Sequence, residues 1–347
     1  MSSETSAIRL REGLPLATLS EYLHGKLDGA ESAIRVEQFS HGHSNLTYLL
    51  TCDSGQEYVL RRAPLGPVAP KAHDMAREFR VLEAVHPHFP EAPHPLHLCE
   101  NLSILGAVFF IMERRQGTIL RSAVPPDLQR DPNYPRRISE AFIDCLVRLH
   151  SLDISGLAAL GKPDGFLARQ VEGWTERWNR ARTSDLSEMD AISRWLTAHM
   201  PASPPPAVIH NDFKLDNLMF RSADKVEAVL DWEMATIGDP LVDLGLTLCY
   251  WSYADTPEAP GPVPSLSSGP GWYAREEFIT RYAERTGRDL SNIVYYEVLG
   301  IYKLAVILQQ IYFRYRRGQT DDPRFRDFDH HVKTLARVAT NVLERQP

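Results

Sequence analysis

Apolar and polar side chains alternate between residues 34 and 62 in three runs, Ile34–Phe39, Leu46–Thr51 and Tyr58–Arg61. Alternation sends every second side chain to one face of a pleated chain, so each run predicts a half-buried β-strand. The breaks at Ser40–Asn45 and Asp53-Ser54-Gly55 carry turn-forming residues, and the three runs therefore predict a meander. Past the proline-rich link Pro64–Pro70 the period changes. Met75-Ala76-Arg77-Glu78-Phe79-Arg80-Val81-Leu82 has helical spacing and is expected to stop near His86-Pro87, because a residue preceding proline is pushed out of the α region. Leu105–Met112 is a further apolar run and predicts a buried strand.

Beyond Glu113–Gly117 the pattern turns helical. Ile138–His150 sets Phe142, Leu146 and Leu149 on one face, and Trp174, Trp178 and Trp195 mark further helices, where they read as packing anchors. Pro201–Pro206 is a stiff loop. Thr256–Gly271, rich in Pro, Gly and Ser, reads as a surface insertion, either a mobile connector or a loop that touches substrate. The longest apolar stretch, Ile293–Phe313, is broken by Glu297, Lys303, Gln309 and Gln310, which predicts a buried helix and not a membrane span.

A chain of 347 residues is long enough for two lobes with buried cores. Its formal net charge of −7 offers no broad cationic surface and argues against nucleic-acid binding, although a local cationic site for a small phosphorylated ligand stays open. Cys52, Cys99, Cys145 and Cys249 are far apart and form no C-x-x-C pair, so reduced, isolated thiols are expected. The N-terminus has no basic start followed by an apolar stretch, and a cytoplasmic location is the expectation.

The densest chemistry lies at His210-Asn211-Asp212-Phe213-Lys214-Leu215-Asp216-Asn217, followed by Asp231-Trp232-Glu233, each bordered by apolar strand-like runs. Phosphoryl transfer needs an acid near the attacking hydroxyl, plus a carboxylate and an amide oxygen that hold magnesium on the phosphates. Asp212 fits the first role as general base, and Asn217 and Asp231 fit the metal roles. The same residue types also cap turns at strand ends.

These segments, with Gly238-Asp239-Pro240-Leu241-Val242-Asp243-Leu244 after them, resemble the aminoglycoside phosphotransferase and choline kinase-like superfamily. Within it, the similarity is to the phosphotransferase domains associated with acyl-CoA dehydrogenases, and it extends from about Val36 to the C-terminal helices. The resemblance implies an α+β, bilobal protein-kinase-like fold: a small β-rich N-lobe over 1–112, a hinge at 113–118 and a larger, mainly helical C-lobe over 119–347. It implies that Lys214 stabilises charge on the transferring phosphate. Arg61 is placed where kinases carry the cation for the α- and β-phosphates, with Glu78 as its ion-pair partner. Gly42, Ser44 and Asn45 correspond to the phosphate-covering loop, although His41 departs from the pair of glycines usual there and a simple hairpin turn accounts for the same residues. Glu113 and its neighbours would set backbone groups against adenine. Asp239 and Asp243 are expected to brace the catalytic loop, Asp243 as a buried acceptor for backbone amides, with His210 supporting the same loop.

The function implied is transfer of the ATP γ-phosphate, with magnesium, to a hydroxyl of a small molecule: a hydroxyacyl-CoA or related hydroxy acid, linked to an acyl-CoA dehydrogenase pathway. Arg314, Arg316 and Arg317 could meet a CoA phosphate or form a solvated helix end. An aminoglycoside or choline-like amino alcohol is the alternative acceptor. A nucleotide-binding pseudokinase module is the alternative of another class, and a metal-dependent hydrolase lacks the expected histidine spacing. The partner expected is the small-molecule acceptor, and neither nucleic acid nor a membrane is expected.

Overall fold

The computed structural model describes residues 5–6, 13–31, 33–39, 45–64, 74–121, 123–252 and 266–344. Gly42 and Ser44, with the neighbouring His41 and His43, lie outside the described residues, as do positions 65–70 of the proline-rich link and 256–265 of the insertion. The chain divides into two compact units, 1–117 with 227–235, and 118–226 with 236–347.

The first unit is built on six strands: β1 (Thr5–Ser6), β2 (Ile34–Phe39), β3 (Leu46–Cys52), β4 (Glu57–Arg62), β5 (Pro95–Cys99) and β6 (Phe109–Glu113). They form one antiparallel sheet in the order β1-β2-β3-β4-β6-β5. Pairing of Tyr48 with Leu60 and of Leu60 with Ile111 lines up one apolar face, which packs on Leu19 and Leu23 of helix α1 (Leu16–Leu23). Alternation along β4 sends Arg61 and Arg62 to opposite faces. Arg62 is buried on the Tyr48 side, where its guanidinium donates to the Tyr48 hydroxyl at 3.1 Å. Arg61 faces helix α2 (Met75–Val85), whose first turn is capped by the Asp74 carboxylate accepting from the Arg77 amide.

The run at Leu105–Met112 does not begin as a strand. Leu102–Leu105 is a short helix, α3, stopped by Gly106 at φ 73, and β6 starts only at Phe109. Leu105 is buried from the helix end, so its apolar character looks like strand in the sequence. Helix α1 is not foreseen, and β5, one of two strands expected after α2, is not located by the sequence because it opens on a proline and shows no clean alternation. The stretch 227–235 completes this unit. The Val229 amide donates to the Glu91 carbonyl at 2.8 Å, and the buried Trp232 ring meets Phe89 edge-on at 6.0 Å.

In the second unit a two-stranded pairing of β7 (Thr118–Ile119) with β9 (Leu218–Ser222), and another of β8 (Ala207–Ile209) with β11 (Thr236–Gly238), frame the polar loop 210–217. Strand β10 (Lys225–Val229) follows β9 and leads the chain into the stretch 227–235 of the first unit. Eight helices make up the rest of its described residues: α4 (Pro126–Gln129), α5 (Tyr134–His150), α6 (Phe166–Ala181), α7 (Ser187–Ala198), α8 (Pro240–Ser252), α9 (Arg275–Thr286), α10 (Ile293–Arg316) and α11 (Phe328–Glu344). Trp174 and Trp178 on α6 are buried anchors. Helix α10 packs against α6, α7, α8 and α11, which accounts for its apolar length. Among the described residues no helix is long and apolar enough to cross a membrane, and all four cysteines are buried outside any disulfide.

Glycines decide how close α8 and α10 come. A Cβ on Gly245 would lie 2.2 Å from the Tyr296 carbonyl oxygen, and one on Gly300 would lie 2.8 Å from the Gly245 carbonyl oxygen. Both obstacles are backbone, so the helices would have to separate. This contact sets α10 against the helix that carries Asp243, Thr247 and Tyr250. Gly245→Ala is expected to destabilise the chain by about 1–3 kcal/mol, outweighing the helix-propensity gain of about 1 kcal/mol. Urea unfolding measures this, and an unchanged or higher midpoint would refute the close approach.

Candidate active site

The loop after β8 is shaped from within the core. The Asp243 carboxylate on α8, fully buried, accepts the amide of His210 at 2.6 Å and that of Asn211 at 2.9 Å, as expected for a buried acceptor. The His150 ring lies 3.2 Å from the same carboxylate and 2.7 Å from the Tyr282 hydroxyl. Burial by itself would raise the Asp243 carboxyl. The bond and charge of His150, with His210, outweigh it and hold the group below the usual carboxylate range. Asn211 consequently takes a left-handed conformation, φ 64, and its carbonyl accepts from Lys303 Nζ of α10 at 3.1 Å. The Phe213 carbonyl accepts from the Thr247 hydroxyl at 3.1 Å. Asp239 acts elsewhere: it caps α8 by accepting the Leu241 amide at 2.9 Å and takes the Tyr296 hydroxyl, so it does not brace the loop directly.

Asp212 is thereby presented with both carboxylate oxygens engaged. Oδ2 accepts from Asn217 Nδ2 at 2.9 Å and lies 3.0 Å from Lys214 Nζ, while Oδ1 accepts from the Tyr250 hydroxyl at 3.1 Å. Burial, then Asp212, pushes the Tyr250 phenol well above its ordinary range, so it stays a donor. Asn217 Nδ2 also reaches the Asp212 backbone carbonyl at 2.8 Å. Both contacts use the amide nitrogen, which leaves Asn217 Oδ1 out of the bonds to Asp212.

In the first unit, Arg61 Nη2 lies 3.2 Å from Glu78 Oε1 and 2.9 Å from Asp231 Oδ1. Asp231 is left-handed as well, φ 68. The segment that carries it is gripped by Arg77, which donates to the carbonyls of Glu233 at 2.7 Å and Ala235 at 2.6 Å. Asn45 gives its Nδ2 to Glu233 Oε2 at 2.9 Å. Asp231 Oδ1 receives Arg61, and its side chain is 30% exposed. Glu113 holds local backbone: its carboxylate accepts the His94 amide at 2.6 Å, and its own amide donates to the His94 carbonyl at 3.0 Å. Among the described residues no three His, Cys, Asp or Glu side chains gather as a metal site.

Sequence reasoning overlooks Arg77, His150, Tyr250 and Lys303. Lys303 carries the one available signal, a charged residue inside the long apolar run of α10, where it is 4% exposed. Burial pushes its ammonium below the ordinary lysine range, against the pull of Asp212 and Asp243.

Burial, opposed by Arg61 and reinforced by Asp231 and Glu233, pushes the Glu78 carboxyl up from 4.5 to about 7. The folded chain then keeps a proton that the unfolded chain has released. The stability this group contributes is complete below pH 4.5 and is lost as the pH rises through about 7. Thermal unfolding of the wild type should therefore weaken across that window relative to Glu78→Gln, which cannot titrate. A difference between the two that stays constant with pH would refute the raised carboxyl.

The phosphotransferase enzyme family (APH) matches residues 35–278 of the chain. Acyl-CoA dehydrogenase family member 10 of Mus musculus is 33% identical over 349 aligned residues, covering 99% of this chain and 32% of that protein. Acyl-CoA dehydrogenase family member 11 of Rattus norvegicus is 36% identical over 87% of this chain and 39% of its own length. The chain thus spans about a third of these relatives. A crystal structure from Ralstonia eutropha JMP134, provisionally described as an aminoglycoside phosphotransferase, superposes with a TM-score of 0.82 at 28% identity, covering 96% of this chain and 99% of that one. These matches mean that the chain belongs to the APH phosphotransferase enzyme family and has a protein-kinase-like fold.

Proposed function

We propose that the chain transfers the γ-phosphate of ATP, with magnesium, to a hydroxyl of a hydroxyacyl-CoA or related hydroxy acid. The observation that carries this reading is the setting of Asp212, fixed by Asn217, Lys214 and Tyr250 yet 23% exposed, so that it is both oriented and reachable. The acceptor hydroxyl hydrogen-bonds to Asp212. Its oxygen bonds to the γ-phosphorus while the bond from that phosphorus to the β–γ bridging oxygen breaks, ADP departs, and the hydroxyl proton passes to Asp212. Lys214, beside the same carboxylate, supplies positive charge to the transferring group. Arg61, anchored by Glu78, serves the remaining phosphates. Asn217 and Asp231 supply oxygen ligands of the kind magnesium takes, and the bound ion would neutralise phosphate charge. Gly42, Ser44 and Asn45 are assigned to the phosphate-covering loop, with Asn45 tied to Glu233, and the Glu113 segment is assigned to the adenine.

The acceptor class rests on charge and on kinship. Lys214 borders Asp212 and is partly exposed, and the exposed Arg177 lies over the Trp174 ring at 4.5 Å. Such surroundings favour an anionic acceptor over a polycationic one. The acyl-CoA dehydrogenase names of the relatives point the same way. The description of the Ralstonia protein favours an aminoglycoside as the second reading.

Magnesium-dependent ADP formation, measured against 3- and 4-hydroxyacyl-CoAs, free hydroxy acids, choline and aminoglycosides, separates the two. Hydroxyacyl compounds are expected to stimulate it, Asp212→Asn to lower the rate by about two to four orders of magnitude, and chelation to abolish it. ATP binding without turnover in wild type and mutant alike would replace the enzyme reading with a nucleotide-binding module.

A further inference from the structure

A lysine in the core of α10 has no packing rationale. Burying an ammonium is worth several kcal/mol of desolvation, and an apolar residue of equal length is often neutral or stabilising at such a place. Lys303 nonetheless lies three residues past Gly300, at the helix crossing made close by Gly245. It faces Asp212 of the loop, Asp243 and Cys249 of α8, and Arg177 and the Trp174 ring of α6. Its hydrogen bond goes to the Asn211 carbonyl, the peptide that follows a left-handed residue and leads into Asp212. Left-handed backbone at a non-glycine residue is disfavoured, so this peptide needs an external hold.

Tyr250, on the last turns of α8, acts from the other side. Its hydroxyl donates to Asp212 Oδ1 at 3.1 Å, and its ring centroid lies 5.1 Å from Lys214 Nζ. Oδ2 of Asp212 already receives Asn217 and Lys214, whereas Oδ1 receives Tyr250. A carboxylate oxygen has two acceptor positions, so the place left for an incoming hydroxyl is on Oδ1, beside the Tyr250 phenol.

Resting on the phosphotransfer reading above, we infer that Tyr250 and Lys303 are positioning residues for that reaction. Tyr250 fixes the Asp212 carboxylate and the Lys214 ammonium relative to one another. Lys303 holds the Asn211 peptide that presents Asp212. Each acts through Asp212, and neither is a structural filler.

Steady-state ADP formation tests this with Mg-ATP alone and with Mg-ATP plus the acceptors of the panel above, for wild type, Asp212→Asn, Tyr250→Phe, Lys303→Met and Lys303→Gln. Tyr250→Phe and Lys303→Met are expected to lower kcat about 10- to 100-fold, the scale found for groups that orient a reacting ligand. The KM for ATP should stay within about twofold. Lys303→Gln keeps a donor for the Asn211 carbonyl and should recover most of the loss. Thermal unfolding, followed in parallel, should show Tyr250→Phe melting with the wild type. If Lys303→Met does not fold, Tyr250→Phe and Lys303→Gln still decide. Wild-type kcat in Tyr250→Phe would overturn the inference, as would a loss that appears equally in KM and melting temperature and is not rescued by Gln. A wild type no faster than Asp212→Asn would remove the phosphotransfer reading and this inference together. An active wild type, an inactive Asp212→Asn and a fully active Tyr250→Phe would remove this inference alone.

Discussion

The second unit depends on one buried anion, the carboxylate of Asp243. Left unpaired at zero exposure, it would be destabilised by several kcal/mol. Two of the donors that offset this are the amides of His210 and Asn211, which belong to the loop that carries Asp212. Loop shape and charge solvation are therefore one equilibrium, because straightening the loop would strip a buried charge of its hydrogen bonds. His150 and Tyr282 extend the dependence to α5 and α9, two helices that set the loop without reaching Asp212. The geometry around Asp212 is thus a property of the core, and core substitutions remote from it are expected to register as changes in turnover.

The first unit uses the opposite arrangement, a buried cation among acids. Arg61 stands against Glu78 and Asp231 with Glu233 nearby, so the cluster carries more negative than positive charge when all are ionised. Burial first, and then that excess, raise the Glu78 carboxyl. A divalent cation at Asp231, as proposed, would relieve it and favour the ionised form of Glu78, which in turn tightens its hold on Arg61. The neighbouring Arg77 does not pair with these carboxylates. It spends its guanidinium on the carbonyls of Glu233 and Ala235, fixing the backbone on which Asp231 is carried.

What a sequence displays of this is uneven, for physical reasons. Asp212, Asn217 and Asp231 are legible because phosphoryl transfer demands those chemical types in that order along one stretch of chain. The strands around Arg61 are legible because half-buried β-structure imposes a period of two. Leu105 misleads because a short apolar helix end and a strand start are alike over so few residues, and only the left-handed Gly106 separates them. Tyr250 leaves no local pattern and Lys303 only a charge inside an apolar helix, since each matters through one atom meeting a residue 38 or 92 positions away. Arg77 hides in the same way: its neighbour Glu78 has an expected partner, whereas carbonyl acceptors 156 and 158 residues distant do not show in any spacing. The role of Asp239 is misjudged for a related reason, because an acid just before a helix is first of all a cap, and its reach to Tyr296 uses the remaining oxygen.

Among the described residues, the only non-glycine positions with positive φ are Asn211 and Asp231. One precedes the candidate base, and the other is a candidate metal ligand. Strained backbone persists only where surrounding contacts over-determine it. Here the contacts are identifiable and differ in kind. Asn211 is held at its amide by an anion and at its carbonyl by a cation, whereas Asp231 is held at its side chain by Arg61 and followed by a segment clamped through its carbonyls. In both places the restraint comes from charged groups that are themselves largely buried, so releasing the strain would also expose or unpair a charge. That coupling makes the strained state the stable one, and it explains why polar residues that an apolar core would exclude are retained at Asp243, Lys303 and Glu78.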